Sequence, residues 1–379
     1  SQCHRCIAKM PEATYIYTKM SITFLRTTLV VSALVVSIAL PQDTQACTSM
    51  IVGARASANG RPLLWKHRDT GTEHNFVDTV CRPGQYRYVA LFNGGDSLRS
   101  EAWMGLNDTG FGIMNTASYN LAPDTAKLVD REGIVMSMAL GRCRTIADFA
   151  TLLDTLPRPM GVQANFGVID AYGNGAYFET NDNGYTAYYL KDTESDVLIR
   201  TNFSFSGNDT TGYGYVRYDN LCHLAEERIQ HHTLTPAFFT EGASRSFYHS
   251  RLGRDILCDS TRWAIDQDFI PRRISSASIV FEGVAPGQDP KDAVMWTVIG
   301  YPPCSHVRAV SIDSVPPELQ PSAPGWRSPA CNEVIKAKYK AFPLRRPGDK
   351  SYIDMDYLRS KMHIERIMSI NEYDKHTKK

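Results

Sequence analysis

A largely apolar run from Leu29 to Leu40, 12 residues long, is broken by Pro41 and followed by a short polar stretch ending at Ala46, with Cys47 directly behind it. With Arg26 ahead of the run and a small residue at its end, residues 20–46 read as a secretory signal peptide starting at Met20. The run is too short for an ordinary transmembrane helix. Whatever folds must then begin at a cysteine, on a segment that alternates as a strand does. Residues 1–19, with the Cys3-x-x-Cys6 pair, read as an upstream extension outside the mature protein, since no second ligand pair lies nearby to complete a metal site. The expectation is export to the periplasm or the extracellular space, with signal peptidase as the partner during export and Cys47 as the first residue left.

The 379 residues carry 41 Lys and Arg against 40 Asp and Glu, a formal net charge of +1. That balance offers no electrostatic footing for nucleic acid, which draws on a basic excess or stripe. At 43% hydrophobic and 21% charged residues the chain can bury a core. Nine cysteines are too sparse for a small disulfide-built domain. No self-similar period is present, so a solenoid or propeller is excluded.

An N-terminal cysteine joins a thiol and a free α-amine on one residue. The amine titrates at about 7.7–8.0 in model peptides and is a base near neutral pH. It can take the thiol proton and later return it to a leaving amine, so one residue supplies nucleophile and general base. Such chemistry also needs oxyanion donors and a group that orients the amine. Other readings of Cys47 stand beside this one: a lipid-modified anchor on a non-catalytic binding protein, a buried or disulfide-bonded cysteine, or a residue that removes 42–46 as its own propeptide.

Downstream, Cys47 to Asp69 scans as strand, turn at Asn59-Gly60, strand, which brings Asp69 back alongside Cys47. Strands are expected at 86–92, 110–116, 165–170, 175–180, 184–190 and 196–201. Two helical segments fill 131–156, the second opened by a capping-box pair, Thr145 and Asp148, and stopped before Pro157. Residues 214–231 have helical spacing. Two antiparallel sheets packed face to face with helices outside would bury this pattern.

At this point the chain resembles a known family. Cys47-Thr48-Ser49, followed by Lys66-His67-Arg68-Asp69, is similar to the N-terminal cysteine branch of the Ntn hydrolases, the relatives of choloylglycine hydrolases and penicillin V acylases. The resemblance is strongest to the acyl-coenzyme A:6-aminopenicillanic acid acyltransferase group, the C45-like linear amide C–N hydrolases. It continues through Gly105-Leu106-Asn107 to Asn115, through Ala164-Asn165 to Asp170 with Ala176 to Glu179, and through Arg200-Thr201-Asn202 and Val216-Arg217-Tyr218. It closes on Ser275 to Phe281 and Ala293 to Pro302. What it implies is an α+β fold, the four-layer αββα Ntn-hydrolase sandwich. It also implies a site in which Cys47 is nucleophile and base, Asp69 orients the amine, Asn115 and Asn202 stabilise the oxyanion, and Arg217 supports them, with Asn165 in a supporting place. The family pattern carries Arg three residues before the Asp, where this chain has Lys66. A lysine is a point charge and not a fork. Lys66 and Arg68 share a strand face and either could meet the thiol; alignment with the family favours Lys66, with Arg68 as the alternative.

Residues 47–345 are expected as one domain, with 316–329 crossing in extended form and 346–379 as a tail holding an amphipathic helix over 351–370. Disulfide pairing among Cys81, Cys143, Cys222, Cys258, Cys304 and Cys331 is not fixed by sequence. No metal or organic cofactor is expected. Tyr119, Phe203 and Phe205 suggest an apolar acyl pocket. The functional expectation is an exported amidohydrolase acting on a small-molecule N-acyl amide. An acyltransferase and a lipid-anchored binding protein remain alternatives, and homo-oligomer formation stays open.

Overall fold

The computed structural model describes residues 46–121, 130–208, 211–322, 324–345 and 351–377. The expected signal peptide, apart from Ala46, and the upstream Cys3 and Cys6 lie outside the described residues. None of the described helices is long and apolar enough to cross a membrane.

The chain enters the fold on β1 (Thr48–Val52), which pairs antiparallel with β2 (Leu63–Asp69) from Val52 opposite Leu63 to Thr48 opposite His67. The connection is therefore the whole of 53–62 and not a two-residue turn at Asn59-Gly60. Gly60 does take a left-handed backbone (φ 74°). The loop is instead pinned outward, with Gly53 N–H on the Asp196 carbonyl, Arg55 N–H on Asp196 Oδ2, and Asn59 Nδ2 on Glu282 Oε1. These partners outweigh the local turn preference.

Next comes an antiparallel meander: β3 (Asn75–Val80), β4 (Tyr88–Asn93), β5 (Met104–Asn107), β6 (Gly112–Ala117), β7 (Ala164–Ile169), β8 (Gly175–Thr180) and β9 (Tyr185–Tyr189), neighbours in that order. Between β6 and β7 run α1 (Glu132–Arg142) and α2 (Ile146–Thr155). The Thr145 and Asp148 capping box is present in full and starts α2. Then β10 (Val197–Arg200) returns to pair with β1. The first sheet is completed by strands Ser275–Glu282, Val294–Ile299 and Arg308–Val310, in the order β10, β1, β2 and then these three.

Three apolar clusters fix the layers. Ile51 and Leu64 of the first sheet meet Val77, Leu91, Met104 and Met114 of the second between the sheets. Phe76, Phe166 and Phe178 on the second sheet's outer face pack on Val135 and Leu140 of α1 and Phe149 of α2. Met50, Trp65 and Val298 on the first sheet's outer face pack on Leu221 and Ala225 of α3 (Tyr215–Gln230). The order is helix, sheet, sheet, helix: the expected αββα sandwich. Period-2 alternation does this sorting, odd positions of β1 and even positions of β2 facing inward.

A helix the sequence reading passed over, α4 (Pro329–Ala341), follows the proline-rich crossing. Its start carries a readable signal: Ser328 Oγ accepts from Cys331 N–H, and Pro329 occupies the first turn, where its missing N–H costs nothing. Residues 351–354 form a strand paired with 263–265, and only from Met355 does α5 (Met355–Thr377) begin. Met355, Leu358 and Met362 pack into a core with Phe247 and Val334. The described residues from Ala46 onward fall in one compact unit, with 351–377 packed in it.

Candidate active site

Alternation puts Cys47 on the face of β1 that looks into the gap between the sheets, one residue before Thr48, which sits opposite His67. Cys47 is buried, 3% exposed, and is joined to Ala46. Its N–H donates to Asn202 Oδ1 at 2.8 Å. Its carbonyl oxygen accepts from Arg217 Nη1 at 2.5 Å, and the same nitrogen donates to Thr48 Oγ1 at 2.8 Å. Arg217 Nη2 donates to Asn202 Oδ1 at 2.6 Å. One guanidinium fork therefore ties together the cysteine, its neighbour and the asparagine, a geometry a lysine could not copy.

Arg217 stands in the first turn of α3 and is 1% exposed, so it is no surface residue. Burial brings its pKa down to about 10, with Arg272 adding to the effect, and it stays a cation. The helix begins at Gly214, in a left-handed conformation (φ 82°). A Cβ there would lie 2.5 Å from Arg217 Nη2 and 2.9 Å from Thr201 Oγ1. Glycine is what lets the fork reach the cysteine.

Asn202 uses its other end structurally: Nδ2 donates to the Ala117 carbonyl at 2.8 Å. In this uncut chain Asn202 is thus an acceptor toward Cys47, not an oxyanion donor. Asn165, inside β7, holds the segment that carries Asn202. Its Nδ2 donates to Thr116 Oγ1 and to the carbonyls of Thr201 and Phe203, and its Oδ1 accepts from Ser204 Oγ at 2.6 Å. Asn115, on β6 across the gap, accepts from Lys66 Nζ at 2.6 Å through Oδ1. Among the described residues its Nδ2 has no partner, which leaves a free donor beside the buried cation.

Lys66 and Arg68 do share a face, but they part ways. Lys66 Nζ also donates to the Trp103 carbonyl at 2.9 Å. Burial lowers its pKa to about 7, against an opposing pull from Cys47. Arg68 turns to Asn75 Oδ1 (2.7 Å) and Asn93 Oδ1 (2.8 Å) and lies over the Trp103 ring. Both feel the Cys47 thiol electrostatically, and Lys66 alone of the two bonds to Asn115.

Asp69 sits on the opposite face of β2 from Lys66. Its Oδ1 accepts from Ser275 Oγ (2.6 Å) and its Oδ2 from Arg272 Nη2 (2.7 Å) and Nε (3.1 Å). Its backbone carbonyl accepts from Ala46 N–H at 3.3 Å. The carboxylate is therefore engaged away from the Cys47 nitrogen, which the sequence reading had placed in its care; strand alternation is the reason. Arg272 and Ser275 were not foreseen, although the Arg272-Arg273 pair just ahead of a strand was visible. His67, beside Ser275 (2.8 Å), is buried enough that its pKa falls to about 4, so it is neutral.

The buried pair of Arg200 with Glu179, 2.7 Å apart, was also missed. Glu179 accepts further bonds from Phe205 N–H, Ser206 N–H and Ser206 Oγ, and Arg200 lies 3.9 Å from the Phe205 ring centre. Phe203 stacks on Tyr215 at 4.4 Å and touches Phe205 and Tyr218. Phe203 is buried in an aromatic cluster, whereas Phe205 at its edge is 37% exposed. A cavity of about 1000 Å³ is lined by Tyr119, Leu121 and Tyr185 together with polar groups such as Gln163, Glu179, Asn181 and Ser206. Burial and then Cys47 raise the Tyr119 hydroxyl, which keeps it protonated near that cavity.

All seven described cysteines are free thiols. No cluster of three or more His, Cys, Asp or Glu suited to a metal occurs among the described residues.

No protein-family model matches the chain, and no curated protein matches it either. Among solved structures it is similar to a mutant of the conjugated bile acid hydrolase of Clostridium perfringens, at 10% identity and a TM-score of 0.45, covering 71% of this chain and 93% of that one. It is similar to a Caenorhabditis elegans ortholog of N-acylethanolamine-hydrolyzing acid amidase, at 12% identity and a TM-score of 0.39, covering 62% and 92%. It is also similar to penicillin V acylase of Agrobacterium tumefaciens, at 11% identity and a TM-score of 0.39, covering 71% and 87%. The chemistry of the site rests on this chain's own residues.

Proposed function

We propose that this chain is a cysteine amidohydrolase of Ntn type, exported through residues 20–46, that cleaves a linear amide bond of an N-acylated small molecule once Cys47 has become its first residue. The observation that carries this reading is the treatment of one cysteine. Its nitrogen is held by Asn202, its carbonyl by Arg217, and Lys66 on the neighbouring strand bonds to the Asn115 amide across the gap. Two buried side chains from 155 and 170 residues away thus fix the backbone of this one cysteine.

In the reaction, the thiol proton passes to a base and Sγ bonds the substrate carbonyl carbon. Asn115 Nδ2 donates to the oxygen that becomes negative. The C–N bond then breaks, the nitrogen leaves with the proton, and a thioester remains. Water attacks the thioester and releases the acid and the free thiol. In the processed chain the freed α-amine of Cys47 is the base, and Asn202 Oδ1 and Arg217 fix its orientation through the contacts already made to the uncut backbone.

The test is intact mass and N-terminal sequencing of the exported protein before and after iodoacetamide, followed by a panel of N-acyl amides. The expected result is a chain starting at unmodified Cys47, alkylated once there, and hydrolysing panel members, with Cys47→Ser inactive. A lipid on Cys47, or full activity in Cys47→Ser, would overturn the proposal.

A further inference from the structure

The cavity of about 1000 Å³ opens where β6 runs out, walled by residues 119–121, by the turn between β8 and β9 and by Ser206. The ladder of β6 with β7 continues one step beyond Ala117, Ser118 N–H donating to the Gln163 carbonyl at 3.0 Å. Alternation then sets Asn115, Ala117 and Tyr119 on one face, and four residues of strand separate the Cα atoms of Asn115 and Tyr119 by about 13 Å. Tyr119 N–H donates to the Asn202 carbonyl at 3.3 Å, while the Asn202 side chain accepts from the Cys47 N–H at 2.8 Å. One residue thus joins the cavity wall to the cysteine.

The wall has a definite chemistry. Among the described residues no Lys, Arg or His lines it, so it offers a carboxylate or a phosphate no counter-charge. Its one carboxylate, Glu179, is fully engaged. Oε1 accepts from Arg200 Nε (2.7 Å) and Phe205 N–H (2.8 Å), and Oε2 from Ser206 N–H (2.7 Å) and Ser206 Oγ (2.5 Å). Neutral groups remain. Asn181 commits Oδ1 to the N–H groups of Asn183 and Gly184. Its Nδ2, the Asn183 amide and the Thr186 hydroxyl have no partner among the described residues. Two lining rings are braced by neighbours: Tyr119 meets Tyr213 edge-on at 5.3 Å, and Tyr185 meets Phe178 at 5.2 Å. Amides and hydroxyls beside fixed aromatic rings suit a ligand ring with hydroxyls on its rim and C–H groups on its faces. An alkyl chain would desolvate the same amides and return no hydrogen bond.

We propose that this cavity receives an uncharged, hydroxyl-bearing ring of the substrate, as in an N-acyl amino sugar, while the amide of the same molecule lies at Cys47. This rests on the reading of Cys47 as the nucleophile of an amidohydrolase and names the substrate class that reading leaves open.

The experiment compares the hexanoyl amides of glucosamine, cyclohexylamine and glycine on the processed protein. They share one acyl chain and differ in carrying a hydroxylated ring, a bare ring or a carboxylate. The glucosamine amide is expected to have a kcat/KM at least tenfold above either of the others, as for a site built to bond hydroxyls. Thr186→Trp, at an exposed strand position, narrows the cavity and should remove most of that preference by raising KM for the glucosamine amide; Asn183→Leu replaces it if that variant does not fold. Calorimetry with Cys47→Ala reads binding of N-hexanoylglucosamine without the chemistry, and adding Thr186→Trp should weaken it about tenfold. Equal turnover of the three amides, or hydrolysis of the other two with the glucosamine amide refused, would overturn the cavity assignment. Binding to Cys47→Ala that Thr186→Trp weakens, with no amide hydrolysed by the wild type, would support the cavity assignment and remove the amidohydrolase reading beneath it.

Discussion

Arg217 and Asn202 meet at one atom: Asn202 Oδ1 accepts from Arg217 Nη2 at 2.6 Å and from the Cys47 N–H at 2.8 Å. The side-chain oxygen is thus shared between a buried cation and the nitrogen of the proposed nucleophile. Fixing that oxygen fixes the cysteine backbone, and the guanidinium needs the same oxygen as an acceptor.

Asn202→Ala is therefore expected to lower kcat by about a hundredfold or more, with KM changing little, as for loss of a preorganised polar contact. Asn202→Asp should do less damage to stability, because it keeps an acceptor for Arg217. Steady-state kinetics with thermal melts on both variants checks the split. Equal loss of kcat in a variant that restores the acceptor geometry would argue against the shared-oxygen role.

Gly214→Ala tests the fork from behind. A left-handed alanine costs about 1–2 kcal/mol, and its methyl would press on Arg217 Nη2. The expected outcome is a modest fall in melting temperature with a disproportionate fall in Cys47 alkylation rate. An unchanged alkylation rate would show that Arg217 does not need this approach.

The Arg200–Glu179 pair predicts an ordering. With Arg200→Met, Glu179 keeps three donors from Phe205 and Ser206. With Glu179→Gln, buried Arg200 loses its only ion-pair partner among the described residues and keeps the Ile199 carbonyl. Glu179→Gln should therefore be the costlier change, about 3–5 kcal/mol for an uncompensated buried charge. Urea unfolding midpoints decide the order.

Asp266 gives a pH signature. Burial raises its carboxyl to about 6, only partly offset by the Arg273 N–H, and Oδ1 has no partner. A carboxyl raised above its unfolded value contributes stability below the unfolded pKa, and that contribution is lost as pH rises through about 6. Asp266→Asn should thus stabilise the protein at pH 8 by about 2 kcal/mol and give no gain at pH 4, by the usual conversion of pKa shift to free energy. Melting curves at the two pH values are the check, and equal effects at both would remove the argument.

The sequence alone determined the parts that depend on local pattern. Alternation through β1 and β2 fixes which side chains face the gap, which is why Lys66 and Arg68 share it and Asp69 does not. The capping box at Thr145 and Asp148 fixes where α2 begins, and the apolar periods of strands and helices are enough for the αββα layers. Tertiary structure decided the partners. Cys47 bonds to Asn202 across 155 residues, Arg217 to Cys47 across 170, and Arg272 to Asp69 across 203. Strand period specifies a face, but a hydrogen bond needs an atom within about 3 Å, and which atom arrives there depends on how the two sheets and α3 pack. The same reason gave Asn202 an accepting role toward Cys47, turned the 53–62 connection outward onto Asp196 and Glu282, and separated Lys66 from its strand neighbour Arg68.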